Sequence, residues 1–557
     1  MAISNPPTLG ERVPNRPHAV SVQLETWRDM VDLGLGASSL LEALNNGYPR
    51  SILHNSVKAL LICCKEKLHN EHIDHSVLLF SNGMTAMACK DYMVTAKGQH
   101  RLTEGSIALY TAEFSSHPGY NCYDREIQVF YAVVYPQEAS VLAASFWRLT
   151  GTGISSRQAE HCLRNQTNLK IQPTTEYTTI AKPLVVGHHP VYDILRSRIA
   201  GLIERTPSKS SPRHNTVTDS DIFLYQSGMA SIYHIHQLLL QWRGGESAIL
   251  GFTYELTIKM METYGPGSRF YAFGTESELD QLESQLEDMT QQGRRMQAIW
   301  CECPSNPLLR TVNFRRVRQL AQKYDVVVVV DETIGSFANV DVLDVADIVI
   351  SSLTKSFNGY GDVLAGSAIL NPNSPYYPEL TKRLSSSYSN NLYVSDAMQL
   401  EVNSRNFLSR AARLNDTALY LVNHLTPVVD DPTSPVCEVY YPSVCWSRDN
   451  YHRQMRPATP DFTPGYGGLF TIRFEDVPAA TLFFDNFHVC KGPSFGADVT
   501  IAQPYVQMVL QKEKDWAERN GLKETIVRVA VGLEDKMEIL DYMMKALAVA
   551  GKGRKMM

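Results

Sequence analysis

The sequence predicts an α/β protein: a mixed, mostly parallel sheet covered by helices on both faces, a smaller C-terminal α+β domain behind it, and an extra region ahead of it. Three observations carry that prediction. Between Ile222 and Ala368, strand-like and helix-like segments alternate with regular spacing, as repeated βαβ units do. The strands in that stretch are continuously apolar, as in the VVVVVD run ending at Asp331, which is the pattern of strands buried on both faces. The chain then changes texture, with two short β signals, GGLFTIRF and ETIVRVAVG, ahead of a closing helical run, EDKMEILDYMMKALAVA.

Taken in order, the 557 residues divide into four parts, consistent with roughly 100 to 200 residues per folding unit. Residues 1–70 read as an extended arm with a helix around Ser39 to Asn45. Residues 71–215 form a mixed region with β-like runs SVLLF and IQVFYAVVY, and end in TPSKSSPRHNTVTDSD, a Ser/Pro/Thr-rich linker. Residues 216–400 are the large domain, with strands at AIW, VVVVVD and ADIVISS and a connecting helix at FRRVRQLAQKYD. Residues 401–557 open on a helical stretch, Asn403 to Leu425, and close the chain as the small domain.

Composition excludes several function classes. Apolar residues make up 44% and charged residues 20%, a globular balance. A net charge of -6 offers no global positive field, so neither nucleic acid nor an anionic membrane is an expected partner. The polar, proline-broken start, MAISNPPTLGERVPNRP, lacks the form of a secretion signal, and apolar runs such as Val326 to Val330 fall far short of the ~20 residues a membrane span needs. A cytoplasmic enzyme is the expectation. The neighbouring cysteines Cys63 and Cys64, and Cys301 and Cys303, lack zinc-site spacing and read as structural thiols; Cys301 and Cys303, two apart on a strand, should share a face. No metal site is expected, and His188, His189, His234 and His236 read as surface or packing residues.

In open α/β sheets ligands bind beyond the carboxyl ends of the strands. Three strands here end in polar residues: at Glu302 and Asn306, at Asp331, and at Ser352, Thr354 and Lys355. An aspartate at one strand end and a lysine 24 residues on, after one more strand, is the arrangement that pyridoxal phosphate (PLP) chemistry requires. The carboxylate keeps a pyridine nitrogen protonated, so that the ring acts as an electron sink. The lysine forms a Schiff base and, once displaced by a substrate amine, becomes a general base. Ser352, Thr354 and the turn Ser227-Gly228-Met229 at the head of a helix would supply donors to a phosphate dianion. The similar run Ser81 to Met84 reads as a plain helix cap, because no aspartate and lysine follow it.

These motifs resemble the cystathionine γ-synthase-like group of transsulfuration PLP enzymes. SGMASI resembles that family's phosphate-binding turn, Tyr254 in GFTYELT its ring-stacking aromatic, and ECPSNPLL the segment whose asparagine, here Asn306, contacts the cofactor ring. VVDET and SSLTK resemble its aspartate and lysine signatures; GPSFG at Ser494 and IVRVAVGLED at Arg528 resemble its substrate-carboxylate site, to which Glu302 is added. PHAVSV, GYPR, GISSR and DETIGSF are similar to the longer fungal members, which carry an extra N-terminal region. The chain departs from bacterial and animal members at Glu332, where they have asparagine, and in lacking their glycine-asparagine-proline after the tyrosine-x-arginine.

The resemblance implies the aspartate-aminotransferase-like fold type I and a homodimer or homotetramer. It implies composite active sites, in which Tyr48 and Arg50 reach a neighbouring subunit's cofactor phosphate. Lys355, Tyr254 and Tyr48 are the implied catalytic residues. The implied reaction is γ-replacement on an O-acylated homoserine, O-acetyl-L-homoserine foremost, with cysteine to give cystathionine. Alternatives are a paralogue of secondary metabolism using another thiol or a carbon nucleophile, and a non-catalytic regulatory relative in which residues 71–215 do the work.

Overall fold

The computed structural model describes residues 6–68, 74–95, 102–115, 128–174, 189–206 and 213–554. Its centre is a seven-stranded sheet in the order Ile222–Tyr225, Gly366–Leu370, Ile348–Ser351, Val327–Asp331, Ala298–Glu302, Ser247–Leu250, Ser268–Tyr271. Only Gly366–Leu370 runs antiparallel to its neighbours, so the sheet is mixed and mostly parallel, as the continuous apolar runs indicate. Side-chain alternation explains those runs. Val328 and Val330 pack into the core on one face, while Val327 and Val329 pack into the core on the other. Cys301 and Cys303 fall on the same face, buried among aliphatic side chains, as structural thiols. No cluster of metal-binding side chains occurs among the described residues.

The crossover helix Phe314–Tyr324 shows how sequence fixes one such layer. Asn313 caps its start by accepting from the Arg316 N–H, and Asp325 ends it in the left-handed region at φ 55°. Its buried face is Phe314, Val317, Leu320 and Ala321, where each large apolar side chain contributes ~1.5–3 kcal/mol on burial.

The C-terminal domain is a five-stranded sheet in the order Val436–Tyr440, Leu469–Phe474, Ile526–Ala530, Ile501–Gln503, Cys490–Lys491. The helices Phe407–Val429, Val477–Asn486 and Lys536–Arg554 share its core.

The extra region is a four-stranded antiparallel sheet, His75–Phe80, Gln128–Pro136, Ala108–Phe114, Lys170–Pro173. Helices Asn55–Lys67 and Ser156–Arg164 cover one face, and Gly83–Thr95 and Ser140–Thr150 the other. Two boundaries therefore move. Val57, Leu60, Cys63 and Cys64 pack on this sheet, so the unit begins near residue 55 rather than 71. Helix Pro190–Glu204 buries Val191, Leu195 and Ile199 in the core of the large domain, which accordingly starts well before 216. The linker expected at 206–221 lies partly outside the described residues, as does His188; His189 caps that helix through the Val191 N–H. Asn82 caps Gly83–Thr95 by accepting from Met84 and Thr85, which fits the plain structural reading of that turn.

The arm is more ordered than expected. It forms a short hairpin, Arg12–Val13 with Ser21–Val22, then helices Trp27–Leu35 and Ser38–Ala43. Trp27, Met30, Leu40 and Leu44 sink into the core of the C-terminal domain, with Trp27 edge-on to Phe484 at 6.1 Å. Among the described residues no helix is long and apolar enough to cross a membrane.

Candidate active site

The strand ends converge on one cavity of about 330 Å³, at the small end of the ~300–1,000 Å³ typical of ligand pockets. It lies beyond the carboxyl ends of the parallel strands and beneath the C-terminal domain and the arm.

Asp331 ends its strand at the cavity floor, in register with Glu302 on the neighbouring strand. Its Oδ1 accepts the Thr333 N–H at 2.8 Å, and burial pushes its pKa up to about 6. Thr333 in turn accepts the Ser352 N–H at 2.7 Å, tying the aspartate strand to the lysine strand. Lys355 is buried, with Nζ donating to Ser494 Oγ at 2.9 Å and lying 5.0 Å from the Tyr48 ring centre and 4.6 Å from that of Phe495. Burial lowers its pKa; the nearby Arg50 and Arg528 lower it further, and Tyr48 opposes them. Ser494 holds this contact from a backbone at φ 82°, a conformation that costs a non-glycine residue and persists only where the surroundings impose it.

Arg528 is buried and donates to three neutral carbonyl oxygens: Asn306 Oδ1 at 2.9 Å, Ser494 O at 3.0 Å, and Gln503 Oε1. No carboxylate forms an ion pair with it among the described residues, the Glu255 charge acting only from a distance, so a buried guanidinium faces the cavity. Burial lowers its pKa. Glu302, expected to bind substrate, lines the cavity with its carboxylate already engaged. Its carboxylate accepts the Tyr254 N–H at 2.7 Å and the Asn306 N–H at 3.0 Å, so it positions two cavity residues. Burial, then the Asp331 charge, raises its pKa.

At the phosphate end two of the expected hydroxyls have partners of their own. Ser227 spends its hydroxyl on the helix cap, accepting from Ala230 N at 3.0 Å and donating to Gly151 O at 2.8 Å. Thr354 spends its hydroxyl on both backbone groups of Ala365. Neither side chain lines the cavity; Gly228, Met229 and Ser352 do. Gly228 has no room for a side chain, since a Cβ there would lie 2.7 Å from the Ser352 Cβ, so the helix start stays open to a ligand.

Tyr48 and Arg50 lie in this cavity of their own chain, which departs from the expectation that they serve only a neighbouring subunit. Arg50 Nη2 donates to the Tyr254 hydroxyl at 2.9 Å and to the Tyr48 hydroxyl at 3.3 Å, and Nη1 donates to the Arg148 carbonyl at 3.3 Å. Burial alone would raise the Tyr48 pKa; Arg50 and Lys355 overcome it and bring it down to about 8. The arm can do this because its helices dock on the C-terminal domain of the same chain, ending within reach of Lys355. Sequence reasoning missed Arg148, Phe495, Gln503 and Tyr505, which also line the cavity.

The parts fit PLP. A buried carboxyl at the floor suits a pyridinium, a buried lysine with lowered pKa suits the aldehyde, and a glycine-opened helix start beside Arg50 suits the phosphate. Fold and site thus define a PLP-dependent enzyme of the aspartate-aminotransferase-like, fold type I architecture. The chain belongs to the Cys/Met metabolism PLP-dependent enzyme family, whose model matches residues 217–548. The model of the fungal trans-sulfuration enzyme N-terminal domain matches residues 56–155.

Among relatives, the alanine racemase ungC of Aspergillus violaceofuscus is 42% identical over 98% of this chain and 97% of its own. The cystathionine gamma-synthase of Neurospora crassa is 31% identical over 97% of this chain and 98% of its own. Of solved structures, the cystathionine gamma synthase of Xanthomonas oryzae pv. oryzae superposes with a TM-score of 0.52 at 20% identity, covering 66% of this chain and 87% of that one.

Proposed function

We propose that the protein performs γ-replacement on an O-acylated homoserine, O-acetyl-L-homoserine foremost, with cysteine as nucleophile and cystathionine as product. The observation that carries this reading is the lining of the cavity. Beside Lys355 and Arg528 its wall includes the apolar side chains of Leu33, Leu41, Ile52, Met508 and Val509, which suit a substrate with a longer side chain than alanine. Bound PLP supplies the electron sink for the bond broken at Cα. Arg528 clamps the substrate carboxylate bidentately, which lysine could not do. Lys355, freed when the substrate amine takes its place, removes the Cα proton and then a Cβ proton; the acyl group leaves Cγ as a carboxylate and the thiolate sulfur bonds there. Tyr48, with its pKa brought down to about 8, stands beside Lys355 to return protons. The same reading carries a cytoplasmic location and a homodimer or homotetramer.

A second reading, racemisation of a small amino acid, is favoured by the 42% identity to a relative named an alanine racemase. It needs the same Cα proton removal, followed by return of the proton to the other face. One experiment separates them. The enzyme is given O-acetylhomoserine with a panel of thiols and carbon nucleophiles, and separately L-alanine in deuterated water, with products resolved by chiral chromatography. Cystathionine formation is the expected outcome. D-alanine without cystathionine would replace the first reading with the second, and a different C–S or C–C product would place the enzyme in a specialised pathway. A regulatory relative without activity is disfavoured by Lys355, Asp331 and Arg528 all facing the cavity.

A further inference from the structure

The N-terminal unit touches the active site at its most sensitive point. The helix Ser140–Thr150 ends at Gly151, whose carbonyl accepts the Ser227 hydroxyl, so the C-terminus of one helix abuts the N-terminus of the phosphate-side helix Gly228–Trp242. Gly151 adopts φ 64°, and a Cβ there would stand 2.4 Å from Ser227 Oγ, so the approach is as close as glycine allows. Gln226 adds a second tie, donating to the Thr152 carbonyl at 3.2 Å.

Three residues before Gly151 stands Arg148. It lines the cavity alongside Gly228, Met229 and Arg50, and its carbonyl accepts from Arg50. Its guanidinium has no hydrogen-bond or ion-pair partner among the described residues, whereas most arginines bordering this region are engaged. Its charge is felt inside the cavity: burial pushes the Tyr254 hydroxyl pKa up, and Arg50 and Arg148 pull against it. A free, solvent-exposed cation at the wall of the cavity that the helix start and a second arginine also line is placed for a dianion rather than for a neutral ligand.

We propose that Arg148 is a cofactor-phosphate ligand supplied by the N-terminal unit, completing with Arg50 and the start of helix Gly228–Trp242 a single anion cradle built from three parts of the chain. The unit matched as the fungal N-terminal domain is then part of the active site, not an appendage to it. This rests on the family assignment for the cofactor itself, and not on which substrate is used.

The test uses Arg148→Ala and Arg148→Lys in the full-length holoenzyme. Alanine keeps the main-chain carbonyl that holds Arg50 and leaves Gly151 untouched, so the fold should survive. PLP retention is followed by visible absorbance after dilution, and stripped protein is reloaded with PLP or with pyridoxal, which has no phosphate. The expected result is that Arg148→Ala weakens PLP binding by about tenfold or more, lysine restores part of it, and pyridoxal binds both forms alike. Equal weakening for PLP and pyridoxal would mean a structural role. Unchanged PLP binding with a raised KM would instead give the guanidinium to the substrate. Either result overturns the proposal.

Discussion

Asp331, Lys355 and Arg528, to which the proposed reaction assigns the chemistry, sit where their charges are costly, and that cost is measurable. Asp331 has a folded-state pKa raised from 3.8 to about 6 by burial. A raised carboxyl pKa means the protonated form is the stable one: that contribution is full below 3.8 and is lost as pH rises through 6. In cofactor-free protein, Asp331→Asn should therefore be more stable than the wild type at pH 8, by roughly 1–3 kcal/mol, with the gap closing as pH falls below about 6. Unfolding curves at both pH values check this. In the holoenzyme the same substitution removes the counter-ion of the ring and should cut turnover about 10²- to 10³-fold. Arg528 carries the complementary cost, a buried cation held only by neutral oxygens. Arg528→Lys keeps charge but loses the fork, so kcat/KM should fall about 10²-fold while PLP absorbance is retained. An unchanged kcat/KM would move the carboxylate site elsewhere.

At the scale of elements, legibility followed the local signal. Asp331 and Lys355 were readable because continuous apolar strands announce their own ends, and polar residues there have few structural uses. Ser227 and Thr354 show where that signal stops, because a hydroxyl near a phosphate turn and one satisfying its own backbone look identical in sequence; only the Gly151 and Ala365 contacts distinguish them. Helix Trp27–Leu35 was missed although its signals were present, Thr26 and Asp29 forming a capping box and Gly36 closing it at φ 75°. The proline-rich approach to it read as continuous extended arm. This helix packs closely: a Cβ on Gly34 would stand 2.7 Å from the Gln507 carbonyl oxygen and 2.9 Å from that of Met508. Since both obstacles are backbone, Gly34→Ala must displace the helix. Because Tyr48 and Arg50 follow it, PLP retention should drop and limited proteolysis within residues 20–50 should accelerate, while the thermal transition of the large domain moves little. Unaltered proteolysis would show that the arm does not depend on this contact.

For the whole molecule, the open question of architecture is which chain completes which site. Family resemblance implied that Tyr48 and Arg50 cross to a neighbour, and no spacing in the sequence could decide it, because an arm of some fifty residues can reach either way. In the structure the arm is fastened along its own C-terminal domain by Trp27, Met30, Leu40 and Leu44, and Arg50 bonds to Tyr254 and Arg148 of the same chain. Arg148 belongs to the N-terminal unit that directly follows the arm, so arm, N-terminal unit and large domain meet at one phosphate end. A site built this way draws Tyr48, Arg50, Arg148 and Lys355 from one chain. Arg50→Ala loses one half of its own site and Lys355→Ala, which should still bind PLP without a covalent bond, loses the other. Co-expressed, the two variants should then form mixed oligomers with no wild-type site in either subunit, and turnover should stay at the level of the separate variants. The mixing must be proven, by two affinity tags carried through sequential purification. Recovery of up to about a quarter of wild-type activity, the yield of random pairing with one restored site in each mixed dimer, would instead show that the arm exchanges between subunits, with Arg50 reaching across to the partner's Lys355.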